Sequence, residues 1–216
     1  PVEADPIAEL VRLYRSADAL SRTNQEVLEE CRLELVKLQQ NDPENHRIWQ
    51  QCVELSKREF SKIYAILGVT FDHQLGESFY NPELETTVSE LLRQGAAELS
   101  DGAVVVWDRS LGDAPFMVRK SDGGFGYATT DVATLEYRVR HWAADAIWYV
   151  VGAPQQLHFQ QLFSLSKRLG YKVDLEHITF GNILGEDRRL MRTRSGESVP
   201  LQEVLDEAVS RALALV

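Results

Sequence analysis

The chain has 216 residues, of which 44% are hydrophobic and 26% are charged, and its formal net charge is −10. This composition is typical of a globular protein with enough residues for a real core, and it argues against a general nucleic-acid-binding protein with a basic footprint. No apolar run reaches the roughly 18 residues that a membrane helix needs. Because the first ten residues are acidic and polar, we expect neither a signal peptide nor a transit peptide, and we expect a cytoplasmic protein without a membrane partner.

Residues 5–66 have the apolar spacing of amphipathic helices. Leu28 and Leu35 belong to a stripe whose members recur at three- and four-residue intervals. Asp42 and Pro43 interrupt this pattern, and they predict the N-cap and the first position of a new helix. We therefore expect an N-terminal helical region that ends at residue 66, with apolar stripes that form packing surface rather than a ligand site.

Short strands alternate with helices from residue 67 to 216. The first predicted elements are a strand over 69–71 and a helix over 81–95. An insertion at about 97–120 follows and contains the hairpin strands 103–107 and 116–120. The next element is a helix over 127–142. A strand–helix–strand unit follows over 145–183, with strands over 146–151 and 178–183 around a helix over 155–169, and a last helix covers 200–216. Because the first strand of this unit is continuously apolar, we expect a parallel sheet covered on both faces, and hence an α/β fold.

The stretch 120–140 turns a glycine-rich corner and enters the helix that carries Tyr127 and Asp131. These two side chains are four residues apart and therefore lie on one face of the helix. A hydroxyl and a carboxylate stacked in this way, just past a strand end, form a pocket wall that suits a planar cation such as a guanidinium. The alternative interpretation is a pair of helix-surface residues without a ligand.

Two further loops follow the strands of the parallel unit, where ligands of open α/β sheets bind. Gln155 and His158 lie one turn apart at a predicted helix start, where an amide and an imidazole could meet an amine, a ribose or a phosphate. A capped helix with a surface histidine fits the same residues equally well. Gly181 and Gly185 flank a short apolar segment whose backbone could lie against a flat base.

Four arginines lie close together in the loop 186–196, at positions 188, 189, 192 and 194. Mobile cationic loops neutralise the charge that develops on a triphosphate, although a solvated loop is the simpler explanation. The sequence contains neither a GxxxxGK[ST] loop nor a GxGxxG motif, so a phosphate site here must have another design. No His or Cys cluster has the spacing of metal ligands, and we expect no protein-bound metal.

Taken jointly, these segments resemble arginyl-tRNA synthetase, a class I aminoacyl-tRNA synthetase. The segments that carry the resemblance are GESFYNP (76–82), SDGGFGYATTD (121–131), QQLHFQQ (155–161), FG (180–181), MRTRSG (191–196) and LQEVLDEAVSRA (201–212). Each is modest alone, but the ordered set covers essentially the whole chain. The resemblance implies the C-terminal half of a Rossmann-like class I nucleotide-binding domain, with a partial parallel sheet, over 67–216, and a helical connecting region over 1–66.

The resemblance also assigns roles in binding the amino acid. The positions that match Tyr127 and Asp131 hold the guanidinium of the substrate arginine in this family, and the position that matches Gln155 helps to bind the amino acid. The first two assignments agree with the pocket wall inferred from the helix spacing.

The nucleotide side of the site follows from the same resemblance. His158 and the backbone from Phe180 through Gly181 to Gly185 would face ATP. Arg192 would act in this protein's version of the Lys-Met-Ser-Lys loop, which stabilises the pyrophosphate and gives Arg192 a catalytic role. Many relatives have lysine at this position, and arginine keeps the charge but changes its geometry and hydration.

One family signature is missing, because none of the five histidines stands in a His-x-Gly-His context. We therefore interpret the chain as a fragment that is inactive alone. The full enzyme would activate arginine with ATP and Mg²⁺ to arginyl-adenylate and transfer the arginyl group to tRNA(Arg). It would act as a monomer without a prosthetic group. The alternative is a non-catalytic module that binds arginine, nucleotide or RNA.

Overall fold

The structure is a computed structural model that describes residues 6–40, 42–181 and 200–215. By their contacts, the residues divide into two compact units: Pro1–Asp72 together with Gly185–Val216, and His73–Leu184. The first unit is helical in its described part, and the second unit contains every strand that the structure describes. No helix among the described residues is long and apolar enough to cross a membrane.

The helical unit contains α1 (Pro6–Thr23), α2 (Gln25–Gln39), α3 (Pro43–Leu67) and α7 (Leu201–Leu213). The cap predicted at Asp42 is confirmed, because its carboxylate accepts hydrogen bonds of 3.1 Å from the backbone N–H groups of Glu44 and Asn45. The sequence pattern did not predict a second helix boundary at Asn24, whose side-chain oxygen accepts a hydrogen bond from the N–H of Glu26 at 2.9 Å. This side-chain bond caps α2 and ends the continuity with α1.

The apolar stripes of these helices are packed less tightly than expected. No residue of α1 or α3 is fully buried in the part of the chain that the structure describes. In α2, Leu28 is half-buried, whereas Leu35 is 54% exposed. Helices α1, α2 and α3 contact one another, but their apolar residues stay partly exposed, so the interpretation as packing surface holds only in part.

The strand predicted over 69–71 is wrong. Gly68 adopts the left-handed conformation (φ +65°) and ends α3. The N–H of Val69 then bonds to the carbonyl of Tyr64 at 2.8 Å, and the ring of Phe71 packs against that of Tyr64 at 4.7 Å between centroids. The chain therefore folds back on α3 and does not pair with a strand.

The second unit begins with a 3₁₀ turn over Glu77–Glu83, followed by α4 (Leu84–Arg93). Three antiparallel strands come next in the order β1 (Glu98–Ser100), β2 (Ala103–Val106) and β3 (Phe116–Arg119). The predicted hairpin is confirmed as β2 and β3, while β1 was missed. The predicted helix after the glycine corner is α5 (Tyr127–His141).

The strand–helix–strand unit is also present, as β4 (Ala146–Val150), α6 (Gln156–Arg168) and β5 (Asp174–Ile178). The two strands pair in parallel, from Ala146 opposite Asp174 to Val150 opposite Ile178. The prediction of the second strand over 178–183 is wrong, since β5 begins four residues earlier than expected. Its first N–H, that of Asp174, already bonds to the carbonyl of Asp145 at 2.9 Å.

The expectation that both faces of this sheet are covered is also wrong. Exposure alternates along β4, where Ile147 and Tyr149 are buried while Trp148 is 69% exposed and Val150 is 65% exposed. Helix α6 packs against one face of the strand pair. The buried face contributes to the core, and the other face is open in the part of the chain that is described.

One core connects α4, the antiparallel sheet, α5, α6 and β4. Its fully buried members include Val88, Leu91, Val104, Val118, Val132, Leu135, Leu162 and Leu165. Because this core extends from α5 to α6, it fixes the first turns of both helices relative to each other. Those two turns carry the predicted site residues.

Candidate functional site

The glycine-rich corner determines where α5 begins. The N–H of Lys120 bonds to the carbonyl of Gly124 at 2.9 Å, and the Asp122 carboxylate accepts from the N–H of Gly124 at the same distance. Gly123 has a φ of +87°, which only glycine adopts without strain. The corner leads into α5, and Gly126 precedes its first residue without a side-chain cap.

Thr129 ties this helix to the sheet. Its side chain is fully buried, and its hydroxyl donates to the carbonyl of Val118 in β3. Val132 and Leu135 continue the buried side of α5. Tyr127 and Asp131 lie toward the other side, where Tyr127 is 73% exposed and the Asp131 side chain is 30% exposed.

Asp131 and His158 form the main polar contact of the site. His158 Nε2 lies 2.6 Å from Asp131 Oδ2, so the imidazole N–H donates to the carboxylate and joins the first turn of α6 to α5. The histidine side chain is 22% exposed. The Asp131 carboxylate is therefore partly shielded from bulk water and still accessible to a ligand.

Two core aromatic residues hold the imidazole in place. The ring centroid of His158 lies 5.2 Å from that of Phe116 in β3, and 5.2 Å from that of Phe159. Both phenylalanines are 3% exposed. The direction of the imidazole is therefore set by the core rather than by solvent.

The sequence pattern did not predict a polar pair near this carboxylate, formed by the buried Tyr149 and the half-buried Arg138. Tyr149 in β4 is 6% exposed, and neither its hydroxyl nor Nε of Arg138 has a hydrogen-bond partner among the described residues. The guanidinium carbon of Arg138 lies 5.5 Å from the centre of the tyrosine ring. Burial raises the pKa of Tyr149 to about 12; the charge of Arg138 opposes this shift, and that of Asp131 adds to it. The only sequence signal was a tyrosine inside an otherwise apolar strand.

The other predicted site residues are less closely associated with the Asp131–His158 pair. Gln155 is exposed and ends the short turn after β4, next to the first residue of α6. In the part of the chain that the structure describes, no side-chain hydrogen bond joins Tyr127 or Gln155 to the Asp131–His158 pair. Phe180 follows β5 and is 53% exposed, and Gly181 has open space where a side chain would begin.

Gly185 and Arg192, with the whole loop 186–196, lie outside the described residues. Their predicted roles toward ATP stay predictions. Within the described ranges, no group of three His, Cys, Asp or Glu side chains is placed to hold a metal ion.

The parallel strand pair, its crossover helix and a polar site beyond the strand ends define an α/β protein with the ligand-binding layout of open parallel sheets. The chain matches the family described as tRNA synthetases class I (R), catalytic domain, over residues 2–216, and it belongs to this family. The family and the α/β fold expected from the sequence are thereby confirmed.

Individual relatives agree with this assignment. The chain is 42% identical to the arginine–tRNA ligase of Thermobifida fusca, in a match that covers 100% of this chain and 38% of the relative. It is 44% identical to that of Rhodopirellula baltica over 85% of this chain and 27% of the relative. The crystal structure of arginyl-tRNA synthetase from Plasmodium falciparum superimposes with a TM-score of 0.73 at 30% identity, covering 91% of this chain and 33% of that one. The chain therefore spans well under half the length of these relatives.

Proposed function

We propose that this chain is the arginine-recognising part of an arginine–tRNA ligase. The full enzyme would activate arginine with ATP, in the presence of Mg²⁺, to arginyl-adenylate with release of pyrophosphate. It would then transfer the arginyl group to tRNA(Arg). The single observation that carries the proposal is the Asp131 carboxylate, which is hydrogen-bonded to His158 and yet belongs to a side chain that is 30% exposed.

Within this proposal, Asp131 pairs with the guanidinium and Tyr127 closes the same wall. The two side chains lie one turn apart on α5, and the 73% exposure of Tyr127 leaves its hydroxyl available to a ligand. A planar guanidinium can donate two parallel hydrogen bonds to a carboxylate, whereas an ammonium acts as a point charge. The site would thus favour arginine over lysine.

The remaining roles concern the amino-acid backbone and the nucleotide. Gln155, beside the N-terminus of α6, would contact the amino acid. Phe180, Gly181 and Gly185 would border ATP, and Arg192 would neutralise charge on the departing pyrophosphate. A cytoplasmic location and a monomeric full-length enzyme belong to the same proposal, and cell fractionation with gel filtration would test them.

The test is Asp131→Asn in the intact protein that contains this chain. Replacing a charged acceptor with an amide removes a charge-assisted hydrogen bond of about 1.5–3 kcal/mol, so we expect the KM for arginine to rise roughly 10- to 100-fold. The assay is arginine-dependent ATP–pyrophosphate exchange with tRNA(Arg) present. We expect little change in the KM for ATP.

Asp113→Asn is the matched control, because that side chain is fully exposed and, among the described residues, forms an ion pair with Arg109 alone. It should leave all kinetic constants unchanged. An arginine KM that is equal in the Asp131 variant and the wild type would refute the pocket. Absence of arginine-dependent exchange in the wild-type protein would refute the proposed activity.

A further inference from the structure

His158 makes a contact that a nucleotide-binding role does not explain. Its Nε2–H is already used by Asp131 Oδ2 at 2.6 Å. Contact of the same nitrogen with a phosphate or a ribose would require this bond to break. The resemblance assigned this residue to ATP, whereas the geometry directs it to the carboxylate that would bind arginine.

The core fixes the imidazole before any ligand arrives. The rings of Phe116 and Phe159 each lie 5.2 Å from it, and both are buried. A donor with so little freedom restricts the carboxylate that it holds, since the Asp131 side chain must meet it at one point. The entropy of ordering this carboxylate is then lost on folding and not on substrate binding.

The bond occupies only one carboxylate oxygen. Within the described residues it is the only hydrogen bond to the Asp131 side chain, so Oδ1 is free to accept from a ligand. Without His158, the carboxylate of this 30% exposed side chain could rotate toward water. The histidine thereby determines which oxygen is presented to the substrate, and from which direction.

We propose that His158 is a positioning residue for arginine specificity, which orients the Asp131 carboxylate through the Nε2–Oδ2 hydrogen bond. This inference rests on the proposed function, because it assumes that Asp131 binds the guanidinium. It replaces a role toward ATP with a role toward the amino acid.

Two substitutions at one position separate the donor from the ring. His158→Phe keeps a ring between Phe116 and Phe159 but cannot donate, while His158→Gln loses the ring and retains an N–H donor at a similar reach. In the intact protein, with saturating tRNA(Arg), we expect H158F to raise the KM for arginine about tenfold. Its kcat and its KM for ATP should stay within twofold of wild type. The glutamine variant should restore the arginine KM to within about threefold.

His177→Phe is the matched control for aromatic packing. Its ring also packs on Phe159, at 4.7 Å, but its Nε2 bonds to the carbonyl of Val151 and not to Asp131. We expect its arginine KM to stay within twofold of wild type. Thermal unfolding of all variants identifies any that fail to fold, and H158Q tests the proposal independently of H158F.

Several outcomes would overturn the inference. A raised KM for ATP with a normal KM for arginine would assign His158 to the nucleotide. Equal defects in H158F and H158Q, or in H158F and H177F, would show that packing and not the donor matters. A double variant, D131N with H158F, should be no worse than D131N alone, because the histidine acts through the carboxylate.

The same experiments separate this inference from the proposed function. A normal arginine KM in D131N would refute the proposed arginine pocket, whatever the result for His158. A defective D131N together with a normal H158F would leave the pocket in place and refute only the positioning role.

Discussion

Two tyrosines with raised pKa values differ in whether their hydroxyls have a partner. Among the described residues, no contact of the Tyr149 hydroxyl has hydrogen-bond geometry, although the Arg138 guanidinium lies beside the ring, whereas the hydroxyl of Tyr171 donates to Glu136 at 2.7 Å. Burial, as the largest cause, raises both pKa values to about 12, and the bond to Glu136 adds to the shift for Tyr171. The folded chain therefore keeps both protons at a pH where an unfolded tyrosine begins to lose its own.

The consequence is alkaline instability with a defined window. Below pH 10 the tyrosines are protonated in the folded and in the unfolded protein, and their full contribution to the free energy of unfolding is present. Between pH 10 and pH 12 only the unfolded protein releases these protons, so the free energy of unfolding falls as the pH rises. A buried group such as Tyr149 contributes at most roughly 1.4 kcal/mol per pH unit, and the half-buried Tyr171 contributes less because solvent screens it. We expect Tyr149→Phe to reduce this slope, measured by urea unfolding at pH 9, 10 and 11.

The pair of tyrosines supplies its own control near pH 7. Removing an unpartnered buried hydroxyl should leave the stability of Y149F unchanged or increased. Tyr171→Phe leaves Glu136 without one bond and should cost about 1 kcal/mol. A Y149F protein that is less stable than Y171F at pH 7 would show that the Tyr149 hydroxyl has a partner after all.

At the scale of elements, one hydroxyl joins α5 to the antiparallel sheet. Thr129 is fully buried and donates to the carbonyl of Val118. Thr129→Val keeps the shape and removes the bond, so we expect the free energy of unfolding to fall by about 1–3 kcal/mol. Thr129→Ser keeps the bond and loses one buried methyl group, at about 1 kcal/mol. Chemical unfolding measures both, and a valine variant as stable as wild type would contradict this role.

Elements with strong local signals were predictable from the sequence. Asp42 and Pro43 start α3, and the glycine corner before Tyr127 starts α5, because caps and turns depend on neighbouring residues. The start of β5 was predicted four residues too late. Its polar side chains, such as Glu176, alternate with apolar ones and so do not form an apolar run. How deeply the apolar stripes of α2 and α3 are buried likewise depends on tertiary contacts, which the sequence does not reveal.

The candidate site was predictable only in part, for the same reason. Tyr127 and Asp131 share a helical face that their spacing reveals. The contact between Asp131 and His158 joins residues 27 positions apart, and no periodicity encodes it. The roles of Gln155, Phe180, Gly181, Gly185 and Arg192 stay predictions that follow from family resemblance.

At the scale of the whole molecule, buried residues are distributed unequally between the two units. The large core belongs to His73–Leu184, while α1, α3 and α7 contain no fully buried residue. Since burial of apolar surface supplies most of the folding free energy, we expect residues 73–184 to unfold cooperatively when they are expressed alone. In the whole chain, the helical unit should melt at a lower temperature.

Calorimetry of the whole chain and of residues 73–184 measures both expectations. The transition at higher temperature should be common to the two samples, and the one at lower temperature should disappear from the shorter piece. A piece that shows no cooperative transition would mean that its core depends on the helical unit. Residues 1–72 alone serve as the comparison and should show only the weak, broad transition of isolated helices.

The hydrogen bond between α5 and α6 also has an evolutionary consequence. In the proposed pocket, the fitness of each residue at position 131 depends on the residue at position 158, and the reverse holds as well. A lineage that changes one of the two first passes through a weakened pocket before the second change can compensate. We therefore expect Asp131 and His158 to change together during evolution, because a substitution of either residue alone weakens arginine recognition.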